Sequence, residues 1–73
     1  MPKIPKGEIR NVTPPSKKVR IQNKSKQDGQ CDLYLEDGSS VSKIVPLGIH
    51  EYHENDKVES IKNTGNVELD LLT

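Results

Sequence analysis

Apolar and polar residues alternate along several stretches of the chain, each with the period of a half-buried strand. Residues 18–23 place Val19 and Ile21 on one face and Arg20 and Gln22 on the other. Cys31, Leu33 and Leu35 form a second alternating set, and Val41, Ile44 and Val45 follow it. Asp37-Gly38 lies between these two sets and predicts a β-hairpin, because both residues accept positive φ at low cost. A two-residue turn would set Leu33 and Leu35 opposite serines. A three-residue loop, Glu36-Asp37-Gly38 with Gly38 left-handed, sets Leu33 opposite Val41, so the apolar face selects the bulged form. Pro46 and Gly48 end the second strand of the hairpin. After a turn at Thr64-Gly65-Asn66, residues 67–72 carry Val67, Leu69 and Leu71 on one face and read as a closing strand.

The remaining stretches are less regular. Residues 24–30 hold nothing apolar and read as a protruding loop. Residues 49–53 suggest a short strand in which His50 and Tyr52 share a face, and Glu54-Asn55-Asp56 suggests a turn or cap. Residues 57–62 space Val58 and Ile61 three apart, and strand or turn is preferred there over a helical turn. No internal repeat is visible. The expected fold is mainly β, a small antiparallel β-sandwich or partly open barrel of five to six short strands. Val19, Ile21, Leu33, Leu35, Val41, Ile44, Val58, Ile61, Val67, Leu69 and Leu71 are its expected core.

Composition sharpens this picture. The 73 residues are 30% hydrophobic, with no Phe or Trp, against about 45–50% apolar in ordinary globular chains. The core is therefore expected to be thin, with help from an oligomeric interface. The formal charge is zero, but residues 1–20 hold six basic residues against one carboxylate, and residues 21–73 hold five lysines against ten carboxylates, giving +5 and −5. Pro2, Pro5, Pro14 and Pro15 fall in the basic part, where neither helix nor central strand tolerates them. The expected organisation is an extended, Pro-rich basic arm over residues 1–17 and a small acidic β-domain over residues 18–73.

The candidate chemistry is sparse. The lone thiol, Cys31, lies on the apolar side of its strand and reads as a buried spectator. His50 and His53 sit near Glu51, Glu54 and Asp56, but on a strand positions three apart point to opposite faces, so surface histidines are expected and no metal or other cofactor. Nothing suggests an activated nucleophile or a carboxylate pair in a cleft, and no enzyme activity is expected. No stretch reaches the ~18 apolar residues of a membrane span, and no apolar run of signal-peptide length opens the chain, so the chain is expected to be made and kept in the cytoplasm, at least initially. The sequon Asn11-Val12-Thr13 is taken as chance. Partner contacts are expected from the arm, through Lys3, Ile4, Lys6, Ile9, Arg10, Val12, Lys17 and Lys18, with a further contact from Lys24, Lys26, Gln27 and Asp28 in the polar loop. In this reading the arm of one copy docks on the acidic body of another or on a larger lattice.

The stretch from Val19 to Val45, with Asn23, Leu-Tyr-Leu-Glu-Asp-Gly-Ser at residues 33–39 and Ile-Val-Pro-Leu-Gly at residues 44–48, resembles small β-structured virion proteins of tailed bacteriophages. The resemblance implies an auxiliary capsid or decoration, head-fibre base or head-to-tail role, symmetric homo-oligomers, and an arm anchored on the shell. Three readings follow. The first is a non-enzymatic structural protein of the virion. The second is a nucleic-acid-associated adaptor using Lys3, Lys6, Arg10, Lys17, Lys18 and Arg20, although only two aromatics, Tyr34 and Tyr52, are available for stacking. The third is an intracellular inhibitor or protein-binding module that pairs through a strand edge.

Overall fold

The computed structural model describes residues 3–72. Six strands form the described chain: β1 (Lys3–Ile4), β2 (Ile9–Asn23), β3 (Gly29–Leu35), β4 (Ser40–Val45), β5 (Gly48–Asn63) and β6 (Leu69–Leu71). They make one sheet in the order β1-β6-β2-β5-β3-β4, with every neighbour antiparallel. The sheet is open and curls strongly into a half-barrel, as the mainly-β, partly open barrel expectation requires. The molecule measures 33 × 18 × 18 Å.

The β3–β4 hairpin takes the bulged register. Leu33 lies opposite Val41, Leu35 N donates to Ser39 O and Gly38 N to Leu35 O, and Gly38 has φ of 91°, a region that disfavours any side chain. That register puts residues 41, 43 and 45 on the inner face. Val45 is therefore buried and Ile44, expected in the core, is 57% exposed. Val41 and Val67 pack against the core only in part, while Ile4, Val12 and Cys31 join it.

The two long strands β2 and β5 form the axis. Ile9 opposite Lys62 and Asn23 opposite Gly48 belong to one register, broken between Asn11 and Lys18. Pro14 and Pro15 lie in that break, where they supply no N–H for the ladder. The short strand over residues 49–53, the turn or cap at 54–56 and the strand or turn over 57–62 expected from the sequence are one continuous strand, β5, because its partner β2 extends alongside it on both sides of the break.

The basic segment is part of this sheet. Among the described residues it supplies edge strand β1 and the first half of β2, and Ile4 and Val12 are buried within the chain's own core. Of the prolines that suggested a detached arm, Pro5 occupies a corner and Pro14 and Pro15 the register break, and Pro2 lies outside the described residues. The two charged parts also meet within one chain: Lys3 Nζ lies 3.3 Å from Glu68 and Lys18 Nζ 3.8 Å from Glu51.

The strand order also corrects the expectation of no internal repeat. Exchanging β1 with β4, β2 with β5 and β6 with β3 returns the same order. Each half begins at an aliphatic-Pro-x-Gly corner, Ile4-Pro5-Lys6-Gly7 or Val45-Pro46-Leu47-Gly48, whose glycine has positive φ (79° and 103°). A long strand follows, and it ends in Ile-x-Asn. Asn23 Nδ2 donates to Gln27 O (2.8 Å) and Val45 O (2.9 Å), and its Oδ1 accepts from Ser25 N (2.9 Å). Asn63 Nδ2 donates to Val67 O (2.7 Å) and Ile4 O (2.8 Å), and its Oδ1 accepts from Gly65 N (3.0 Å). Each asparagine thus closes its own loop and ties it to the carbonyl that precedes a corner proline. Both are buried, so these bonds satisfy groups that would otherwise cost several kcal/mol to strand.

Candidate functional site

One depression, about 420 Å³, is open and lined by Asn11, Val12, Thr13, Pro15, Glu59 and Ser60. A smaller one, about 290 Å³, is lined by Lys3, Lys24, Ser25, Glu68 and Asp70. Its four charges are already the ion pairs Lys3–Glu68 and Lys24–Asp70.

Cys31 is fully buried. Burial pushes its thiol up to about 12, with Asp32 adding to the rise and Lys43 opposing it. A thiol of this kind is protonated and inaccessible at neutral pH. His50 Nε2 lies 3.1 Å from Leu47 O, and His53 Nε2 lies 2.9 Å from Glu51 Oε1. The hydrogen bond with His53 holds the Glu51 carboxyl below its usual range, with Lys18 and Arg20 contributing. The two rings serve separate partners, and no group of three His, Cys, Asp or Glu side chains able to hold a metal occurs among the described residues.

The residues expected to bind a partner fall into three sets. Ile4 and Val12 are core and unavailable. Lys3, Arg10 and Lys18 lie near carboxylates, Arg10 at 3.9 Å from Glu8. Lys6, Lys17 and Ile9 are exposed, Ile9 at 51%. In the polar loop Lys24 is tied to Asp70, whereas Lys26, Gln27 and Asp28 are exposed. Folding therefore scatters the proposed arm contacts instead of presenting them on one tether.

The structure instead concentrates exposed apolar side chains at the second corner. Ile44 is 57% exposed, and Leu47 and Ile49 are 51% exposed each. They follow one another around Pro46-Leu47-Gly48, and the polar loop sits beside them because Asn23 bonds both Gln27 O and Val45 O. The corner is held firmly. Tyr52 Oη donates to Ile44 O (2.8 Å), and burial raises the Tyr52 hydroxyl above its ordinary pKa. Lys43 Nζ approaches Glu54 Oε2 at 3.1 Å, a half-buried ion pair whose angles fall short of a hydrogen bond. The only signal of this patch in the sequence is parity: once Leu33 faces Val41, Ile44 must face outward.

No protein-family model, curated protein or solved structure matches this chain.

Proposed function

We propose that this protein is a non-enzymatic structural component that works through protein–protein contact, as an auxiliary or decoration protein of a tailed-phage virion would. The observation that carries the reading is the exposed aliphatic corner Ile44, Leu47 and Ile49 on a small sheet. Exposed aliphatics clustered on a small chain mark interaction surfaces more often than single exposed ones do. The virion setting rests on the sequence resemblance over residues 19–48. Attachment runs through the folded surface, since the basic segment is built into the sheet.

The nucleic-acid adaptor is less well supported, because Lys3, Arg10 and Lys18 lie near carboxylates and the chain has only two aromatics, Tyr34 and Tyr52, for stacking. The reading is tested by mass spectrometry of purified particles from the source culture. A fixed stoichiometry in assembled particles is expected, and absence from them overturns the virion setting. Titration with labelled single- and double-stranded oligonucleotides at two salt concentrations separates the adaptor, which requires affinity that falls steeply with salt.

A further inference from the structure

The internal repeat supplies its own control for the apolar corner. The first corner runs Lys3-Ile4-Pro5-Lys6-Gly7-Glu8 and the second Ile44-Val45-Pro46-Leu47-Gly48-Ile49. The positions that the fold uses agree: a buried aliphatic, a proline, and a glycine at positive φ. The exposed positions differ, with Lys3, Lys6 and Glu8 in the first corner and Ile44, Leu47 and Ile49 in the second. The same backbone is thus built with charges at these three sites, so folding does not require aliphatics there. Ile9, also exposed, is a single aliphatic between Glu8 and Arg10 and needs no such explanation.

The strand leading into the second corner is an edge whose one guard is the inward-facing Lys43. Edge strands of monomers are commonly blunted by lysine, proline or extreme shortness. Edge β1 has two residues, with Lys3 exposed. Edge β4 has six residues and no proline, and its one lysine, Lys43, is paired with Glu54. Residues 44–49 carry no charge at all.

We infer that this corner is the centre of a two-fold contact with a second copy of the chain, an inference that rests on the protein-contact reading above. Ile44, Leu47 and Ile49 form the apolar centre, which meets its own counterpart without like-charge repulsion. The adjoining loop forms the rim. Its exposed Lys26 and Asp28 have opposite signs, so the loop is self-complementary in charge and a two-fold contact in which Lys26 of one copy meets Asp28 of the other carries no net repulsion. A dimer interface of standard size takes about 800 Å² from each partner. That is more than three half-exposed side chains supply, so the contact includes the loop and the end of β4.

The test is sedimentation velocity of the full chain across a concentration series, compared with the triple variant Ile44→Lys, Leu47→Lys, Ile49→Glu. This variant copies the exposed residues of the first corner onto the second, and circular dichroism checks that it folds. Lys6→Leu at the first corner is the control. A concentration-dependent dimer is expected, weakened at least tenfold in the triple variant and unchanged in the control. A monomer throughout the series, a trimer or other odd-numbered assembly, or equal dimerisation of the triple variant each overturns the inference. A monomer that is still found in assembled particles would refute self-association and leave the structural role standing.

Discussion

Asn63 is the residue whose loss the fold should feel most for its size. It is fully buried, and its amide makes three hydrogen bonds that join β5, the loop before β6 and the carbonyl of Ile4 on the opposite edge. Asn63→Ala removes all three. At about 1 kcal/mol net each, with a further penalty for buried groups left unpaired, the loss is about 3–5 kcal/mol. A domain of this size has only about 4–11 kcal/mol in all, so the variant should be near the edge of folding. Urea denaturation at 25 °C followed by far-UV circular dichroism reads this directly, and a melting temperature lower by about 12 °C or more should accompany it. Asn63→Asp adds a pH signature. The carboxylate would face the Ile4 and Val67 carbonyl oxygens, which disfavours its charged form and raises its folded pKa above the unfolded value of about 3.9. Its cost relative to the parent should then be small at acid pH and grow as pH rises through that window. A cost below about 1 kcal/mol for Asn63→Ala, or a pH-independent difference for Asn63→Asp, would refute the argument that this amide ties its own loop to the carbonyl before Pro5.

Removing residues 1–17 should abolish folding, since it deletes β1, half of β2 and two core side chains, Ile4 and Val12; a well-dispersed amide NMR spectrum from residues 18–73 would contradict this. Cys31 should resist alkylation at pH 8 in the folded protein and react in urea, because the thiol is buried and raised to about 12. Labelling at the rate of a free thiol would show that the core opens. Tyr52 is raised above 10.0 by burial and donates to Ile44 O. Its contribution is therefore complete below about pH 10, the unfolded value, and is lost as pH rises through the higher folded value. The parent's stability should fall more steeply above pH 10 than that of Tyr52→Phe, and parallel curves would count against this bond. Leu33→Ala, at a fully buried site, should cost about 2–5 kcal/mol in the same urea assay.

Local patterns were legible wherever the information is local. Alternation marked β3, β4 and the second half of β2, and Asp37-Gly38 with the apolar face of Leu33 selected the hairpin register, since a one-residue slip would expose Val41. The basic N-terminal segment was misleading because proline density argues against a central strand only if each proline must donate to a ladder, and here Pro14 and Pro15 lie in the register break. The repeat was hidden for a related reason. Its matching residues are few, with Pro5 and Pro46 separated by 41 positions and Ile21 and Ile61 by 40, and the rest of each half is free to vary.

From its sequence alone, this protein is an antiparallel β domain with one bulged hairpin and a thin aliphatic core. These follow from periodicity, turn chemistry and residue type, which act between near neighbours. Only the tertiary structure decided that the basic segment pairs with its own acidic half, that Asn23 and Asn63 do equivalent work, and that Ile44, Leu47 and Ile49 face outward together. Those outcomes depend on which strands become neighbours across 40 or more residues of chain, as Lys3 and Asp70 do, and on how strongly the sheet curls. Neither is written in any short stretch of sequence.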